Sequence, residues 1–355
     1  MQTTFNTADA MLAEPCAAVT VRAPGRLHLG FLDPAGSLGR RFGSLGLVVN
    51  GFETEIELMA SPDGPVAACG IGGPAELARA AACLGLLQRH SGRHEPLGLR
   101  LVRLLPAHAG FGSGTQLALA IGRAFALWHG LDVSTPTLAQ WLGRGLRSGV
   151  GIAGFDQGGL LVDGGPGADG AAASLLARLP LPAAWRVLVV QDEAQHGLSG
   201  TDELRALAAL APLPQALAAD ICHQVLMRVL PGAAGAEFAP FAAGITRIQQ
   251  VLGEHFASAQ GGSAFTSAAV GRLIEWMARQ GEPAAIGQSS WGPTGFAILP
   301  SQAQAEALTA AARAANLVAP ELTLRIVSAR NTGATLVDQR RAPSAPLRGP
   351  GALAR

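Results

Sequence analysis

The chain contains no lysine, and all 26 basic residues among its 355 are arginine. That absence excludes a Walker-type phosphate lysine, a Schiff-base lysine and a lysine general base. Phosphate or carboxylate chemistry must instead rest on arginine forks, backbone amides, helix N-termini or a metal. Cysteine is scarce too. Cys16, Cys69, Cys83 and Cys222 stand far apart at no metal-ligand spacing, which points to buried thiols in a reducing compartment. The eight histidines are scattered, so a zinc site has no support. Charged residues make up only 14%, with a net charge of +1, leaving no global field to recruit nucleic acid or an anionic membrane. No apolar run is long enough for a transmembrane helix, and the first residues lack the basic start of a secretory signal. A cytoplasmic protein acting on small molecules is the expectation.

What is present is core-forming material, 49% of the residues being hydrophobic, over a length that suggests two domains. Residues 18–33 alternate as a strand with a break at Pro24-Gly25. Residues 45–59 read as two strand pieces around the hairpin-type dipeptide Asn50-Gly51. Helical composition follows at 74–90, a strand at 97–105, helices at 115–129 and 138–146, and a short strand at 160–162. The run Gly164-Gly165-Pro166-Gly167 marks a domain boundary. The second half opens with a strand at 186–191, continues in helices at 202–211, 214–229, 237–252 and 267–280, and ends with strands at 295–299 and 323–327 flanking a helix at 302–316. This predicts an α+β protein with a flexible leader over 1–17, an N-terminal domain over 18–165, a C-terminal domain over 166–339 and a disordered tail over 340–355.

The most informative stretch is PAHAGFGSGTQLAL, Pro106 to Leu119. Between a strand and an apolar helix, Gly110, Gly112 and Gly114 let phosphate oxygens approach the backbone amides. Ser113 and Gln116 have capping-box spacing, and the helix start favours an anion. A merely tight strand-to-helix connection is the alternative.

This loop resembles the second motif of the GHMP kinases. Ala23-Pro24-Gly25-Arg26-Leu27-His28-Leu29-Gly30 resembles their first, and Gly287 to Gly295 (GQSSWGPTG) falls where a third is expected, with Ser289, Ser290 and Trp291 as departures from the kinase pattern. Together with GRGLRSGVGIAGFDQGG at Gly143 to Gly159, these blocks resemble the β-ribofuranosylaminobenzene 5'-phosphate synthases, over most of the chain. The resemblance implies a two-domain GHMP fold. It also implies decarboxylative transfer of the phosphoribosyl group of 5-phosphoribosyl-1-pyrophosphate to 4-aminobenzoate or 4-hydroxybenzoate in tetrahydromethanopterin biosynthesis, with Mg2+ and a homodimer. An ATP-dependent GHMP kinase and a non-catalytic ligand sensor are the competing readings.

On that resemblance, phosphate binding is expected at His108, Gly110, Gly112, Ser113, Gly114, Thr115 and Gln116 and at Arg144, Arg147 and Ser148. Arg144 and Arg147, three apart, would share one helical face and clamp one phosphate, or form a solvated face. Arg26 and His28 are catalytic candidates, the histidine having a structural alternative. Asp156 falls where GHMP kinases carry a catalytic carboxylate. It would bind magnesium or orient the substrate, or else serve as a turn aspartate. Asp163 is a second metal candidate or a turn-former. Gln288, Ser289, Ser290 and Trp291 would receive the aromatic acid, unless the tryptophan is core.

Overall fold

The computed structural model describes residues 17–61, 67–167, 171–197, 205–206, 208–281 and 283–341. Two long antiparallel strands, β1 (Ala18–Asp33) and β2 (Phe42–Ala60), form its spine. Asn50-Gly51 makes no hairpin, because both halves of β2 pair with β1 in the same sense. The dipeptide instead marks a bend matching the register shift in β1 between Pro24 and Arg26, where proline cannot donate to the ladder. The Asn50 amide N–H donates to the Ser328 carbonyl and its side chain to the Ala329 carbonyl, which ties the bend to the C-terminal half.

Beyond β2 come β3 (Ala67–Gly70), α1 (Pro74–Ser91), β4 (Leu97–Arg103), α2 (Ser113–His129), α3 (Thr135–Trp141), α4 (Val150–Gln157), β5 (Leu160–Asp163) and β6 (Leu175–Leu179). The second half holds β7 (Arg186–Asp192), α5 (Gln215–Gln224), a π-turn at Val225–Val229, α6 (Leu230–Ala234), α7 (Phe238–Phe256) and α8 (Ala268–Ala278). It ends with β8 (Ala285–Gln288), β9 (Thr294–Leu299), α9 (Gln302–Ala314), β10 (Leu322–Val327) and β11 (Thr335–Asp338). Among the described residues, one sheet runs β11-β1-β2-β4-β3, with β5 paired to β2 and β6 to β5. A second, wholly antiparallel sheet runs β10-β7-β9-β8.

The α+β class with two sheets agrees with the sequence reading, but the boundary at 165/166 does not separate the sheets. Strand β6 pairs with β5, and the last strand, β11, returns to pair with β1. Arg340, expected to open the disordered tail, is held in place instead. Arg340 folds back in a 3-10 turn, pairs with Asp338, donates to the Leu127 and Trp128 carbonyls and stacks over Trp128. The predicted leader, apart from residue 17, and the tail beyond 341 lie outside the described residues. One apolar cluster draws on both halves, with Leu27, Leu47 and Phe111 packed together with Val187, Ile245 and Trp291. Each such fully buried side chain contributes about 1.5–3 kcal/mol, so the halves cohere through a common core.

Helix α4 was not legible in the glycine-rich VGIAGFDQ, and a distant carboxylate is what starts it. Fully buried Asp163 accepts hydrogen bonds from the amides of Gly149, Val150 and Gly165. Its glycine positions serve contact, since a Cβ on Gly154 would lie 2.8 Å from Val48. Asp163→Ala orphans three buried amides at about 1–3 kcal/mol each. The variant is expected to lose about 3 kcal/mol or more of unfolding free energy, read as a fall in the urea midpoint.

Candidate active site

The loop between β4 and α2 is held from both sides. The Arg26 amide N–H donates to the Phe111 carbonyl (3.1 Å) and its Nη1 to the Gly110 carbonyl (3.1 Å). From the second half, the Ser289 hydroxyl donates to the same Gly110 oxygen (2.7 Å) and accepts from the His28 amide (2.9 Å). Gly110 must be glycine, because a Cβ there would lie 2.4 Å from the Ser289 carbonyl oxygen. Gly112, with φ of 74°, ends the loop in the left-handed region directly against the Arg26 guanidinium.

The expected capping box does not form. Gly112 occupies the N-cap of α2 with no side-chain cap, so the helix opens with its first amides unblocked by a side chain. Gln116 is turned inward, fully buried, and donates to the Gly151 carbonyl (2.9 Å), joining α2 to the start of α4.

In front of this loop lies a cleft of two adjoining cavities, about 500 and 300 Å³. The larger is lined by Arg26, Arg79, His108, Gly110, Gly112, Ser113, Gly114, Thr115, Arg144 and Arg147, with Ser290 and Trp291 at its edge. The smaller shares Arg26, Thr115, Arg144, Arg147 and Ser290 and adds His28 and Ser148. Nine of the ten expected phosphate-binding residues thus converge, Gln116 being the exception. Arg144 and Arg147 arrive differently than expected: α3 stops at Trp141, Gly143 has φ of 63°, and the two arginines project from a loop rather than one helical face. Arg79, from α1, was invisible to motif reasoning, because only the packing of α1 on α2 brings it here. No carboxylate is among the residues lining either cavity. A larger cavity, about 690 Å³, lies elsewhere, but it mixes Glu53, Asp192 and Glu193 with Arg103 and Arg325 and has no such bias.

His28 is buried, with its ring edge-on to Phe31 (centroids 4.6 Å apart) and Nε2 without a hydrogen-bond partner. Burial, then the charges of Arg26 and Arg147, hold its pKa well below the ordinary imidazole value. It therefore presents a neutral ring to the cleft. Ser290 and His108, at the cleft wall, both have positive φ (54° and 57°), a conformation uncommon for non-glycine residues.

Several expected roles are corrected. Asp156 lies in the last turn of α4, exposed, and accepts from the Thr135 hydroxyl (2.6 Å), away from the residues lining the cleft. Asp163 sits at the other end of that helix, its carboxylate engaged by amides. From Val150, which the Asp163 carboxylate contacts, to Asp156 the helix rises 1.5 Å per residue, so the two carboxylates lie roughly 10 Å apart, too far to share an ion. Burial raises the Asp163 pKa, against the pull of the amides of Gly165, Gly149 and Val150. The Gln288 side chain is taken up by the Thr266 amide, Gln260 and the Ser290 carbonyl, and the Ser289 hydroxyl by the loop. Neither is left for a substrate carboxylate. Trp291 is buried against Phe256, a core residue whose edge reaches the cleft. Among the described residues no cluster of three His, Cys, Asp or Glu side chains fits a metal. The H-x-x-x-H spacing of His90 and His94 is no exception, because Gly92 ends α1 between them. The cleft residues therefore do not fit a protein-held magnesium ion. No helix of the described residues is long and apolar enough to cross a membrane.

The fold and its glycine loop define a protein of the GHMP class. The model of the GHMP kinases N terminal domain matches residues 76–161 and that of the GHMP kinases C terminal domain residues 238–317. The crystal structure of homoserine kinase from Cytophaga hutchinsonii superposes with a TM-score of 0.66 over 93% of this chain and 100% of that one, at 14% identity, a likeness of fold alone. Within that class the chain belongs to the β-ribofuranosylphenol 5'-phosphate synthase family. It is 33% identical to the Archaeoglobus fulgidus member, over 80% of this chain and 88% of that protein, and 30% identical to the Methanothermobacter thermautotrophicus member, over 78% and 88%.

Neutral His28 sets a pH dependence. Below about pH 6.5 the unfolded chain takes up a proton that the folded site refuses, so stability falls as pH drops. His129 and His255, also depressed by burial, act in the same direction. In His28→Gln the stability difference between pH 8 and pH 5, measured by urea unfolding, is expected to shrink by about 1–2 kcal/mol.

Proposed function

We propose that the protein is a decarboxylating phosphoribosyltransferase. It joins the phosphoribosyl group of 5-phosphoribosyl-1-pyrophosphate to 4-hydroxybenzoate or 4-aminobenzoate with loss of pyrophosphate and carbon dioxide. The observation that carries this reading is the cleft itself, in which Arg26, Arg79, Arg144 and Arg147 face a glycine loop and helix start with no carboxylate among them. Such a site suits a polyanion and stabilises negative charge gathering on a departing pyrophosphate. The family membership supports the same reaction over phosphoryl transfer from ATP. Asp156, the counterpart in sequence of a kinase base, lies outside the cleft.

The chemistry asks for no strong nucleophile. The ring carbon bearing the carboxylate attacks the anomeric carbon as the bond to pyrophosphate breaks. The carbon–carboxylate bond then breaks, its electron pair restores aromaticity, and no net proton is consumed. Arginines and loop amides align the phosphoribosyl end, which is the larger demand in such a transfer. Arg26, pinned to Gly110, keeps its guanidinium beside the loop. Neutral His28 offers a hydrogen-bonding ring nitrogen without adding charge. Magnesium belongs to this reading as an ion carried by the pyrophosphate of the substrate. A cytoplasmic homodimer serving tetrahydromethanopterin biosynthesis is the accompanying proposal, and sedimentation at micromolar concentration is expected to give twice the chain mass.

The test is release of labelled carbon dioxide and of pyrophosphate from phosphoribosyl pyrophosphate, Mg2+ and each carboxyl-labelled acid in parallel. Equal release of both, dependent on both substrates, is expected. Arg144→Ala should raise the KM for phosphoribosyl pyrophosphate by about tenfold or more, as removal of one charge-assisted contact does. Asp156→Asn should keep kcat within about twofold of the parent, since it touches no cleft residue. Phosphoryl transfer from ATP to a sugar alcohol, with no carbon dioxide released from either acid, would overturn the reading.

A further inference from the structure

The arginine cleft accounts for the phosphoribosyl end of the reaction, and Gln288 and Ser289 are occupied by the protein, so the acid needs another seat. A third cavity, about 340 Å³, opens beside the cleft and shares Arg147 with it. Its apolar wall includes Phe42, Leu213 and Phe256, and its polar edge carries Arg41, Arg147 and His255. Its volume exceeds the roughly 150 Å³ that suffices to hold a benzene ring. The aromatic wall with a few placed cations is the pattern of a small-molecule site.

Two rows of rings flank the way from this cavity to the cleft. Phe42, Phe31 and His28 follow one another at centroid distances of 5.4 and 4.6 Å from the β1–β2 side. His255, Phe256 and Trp291 follow at 5.1 Å each from the α7 side. A second, independent observation is strain. Phe42 has φ of 71°, a left-handed conformation that is an outlier for a bulky residue, and the Arg41 guanidinium lies over its ring at 5.4 Å. Glycine would hold that backbone without strain, and what the phenylalanine adds is a flat ring at the cavity mouth. His255 is kept neutral by burial, which suits it to face a phenol or aniline group rather than to compete with the arginines for an anion.

We propose that this cavity is the aromatic-acid subsite, with the ring between Phe42 and Phe256 and the carboxylate on Arg147 and Arg41. The placement rests on the synthase reading in one respect: the carbon that carries the carboxylate must meet the anomeric carbon, and Arg147 borders both cavities. The acceptor is then a flat monocyclic aromatic carboxylate.

Two variants test it. Leu213→Trp fills the cavity, and Phe42→Gly removes the ring while relaxing the backbone. Equilibrium dialysis with labelled 4-hydroxybenzoate and 4-aminobenzoate, in the presence of phosphoribosyl pyrophosphate and Mg2+, gives the acid Kd. The carbon dioxide assay gives both KM values, and urea unfolding checks the fold. Leu213→Trp should raise the Kd and KM for the preferred acid by about tenfold or more, with the KM for phosphoribosyl pyrophosphate within about twofold. Phe42→Gly should raise the acid Kd severalfold without lowering the unfolding midpoint, which a merely structural role for the ring would not give. Folded variants that bind the acid as the parent does would overturn the subsite while leaving the synthase reading intact, as would a parent that releases carbon dioxide with unaltered acid KM in both variants. A parent that binds the acid at this cavity, with binding lost in Leu213→Trp, yet releases no carbon dioxide would uphold the subsite and sink the synthase reading. A parent that binds neither acid overturns the subsite.

Discussion

One half-buried carbonyl oxygen organises the centre of this molecule. The Gly110 oxygen receives the Arg26 guanidinium and the Ser289 hydroxyl, and that hydroxyl in turn takes the His28 amide hydrogen. Three segments far apart in the chain, the first strand, the glycine loop and the turn between β8 and β9, are thereby locked at a single point. The turn packs on the loop so closely that neither Gly110 nor Gly292 has room for a methyl group. Of these groups the His28 amide and the Ser289 hydroxyl are fully buried, so removing the serine leaves an orphaned amide at a cost of about 1–3 kcal/mol. The geometry of the cleft follows from this. The Arg26 side chain cannot swing away from the helix start, and the first amides of α2 stay turned toward the same space.

The electrostatics follow from the same packing. Arginines gathered around a cleft whose lining holds no carboxylate give it a positive field. That is a costly feature to build for stability and an apt one for binding a polyphosphate. Arginine suits the task better than lysine here, because a guanidinium can donate to the protein and still offer a fork to a ligand. The field also acts on its neighbour. His28, desolvated and facing Arg26 and Arg147, stays uncharged, so the site keeps a neutral hydrogen-bonding ring next to a strongly cationic wall.

The two aspartates show how position in a motif and chemistry can part. Asp163 and Asp156 bracket the short helix α4. One starts it by accepting the amides of Gly149 and Val150, and the other lies exposed in its last turn, held by Thr135. Both are thus accounted for by local structure, and neither lines the arginine cleft.

The sequence alone was enough for the parts that depend on local rules. The strand, glycine loop and apolar helix of residues 97–129 were legible because periodicity, loop glycines and helix composition act over a few residues at a time. The absence of lysine restricted the cationic chemistry to arginine, and four ordered motifs carried the family. Tertiary structure decided the rest, because the deciding contacts join residues that no window contains. Ser289 reads as a candidate donor to substrate until Gly110 is seen to accept its proton. Asn50-Gly51 reads as a hairpin until β1 is found paired along both halves of β2. Helix α4 depends on a carboxylate beyond its own end, and Arg79 reaches the cleft only because α1 packs on α2. Phe42, Leu213 and Phe256 form one wall only after the two halves close on a shared core. Burial, charge and backbone strain at these places are properties of the packed molecule, and they turned a plausible motif into a specific site.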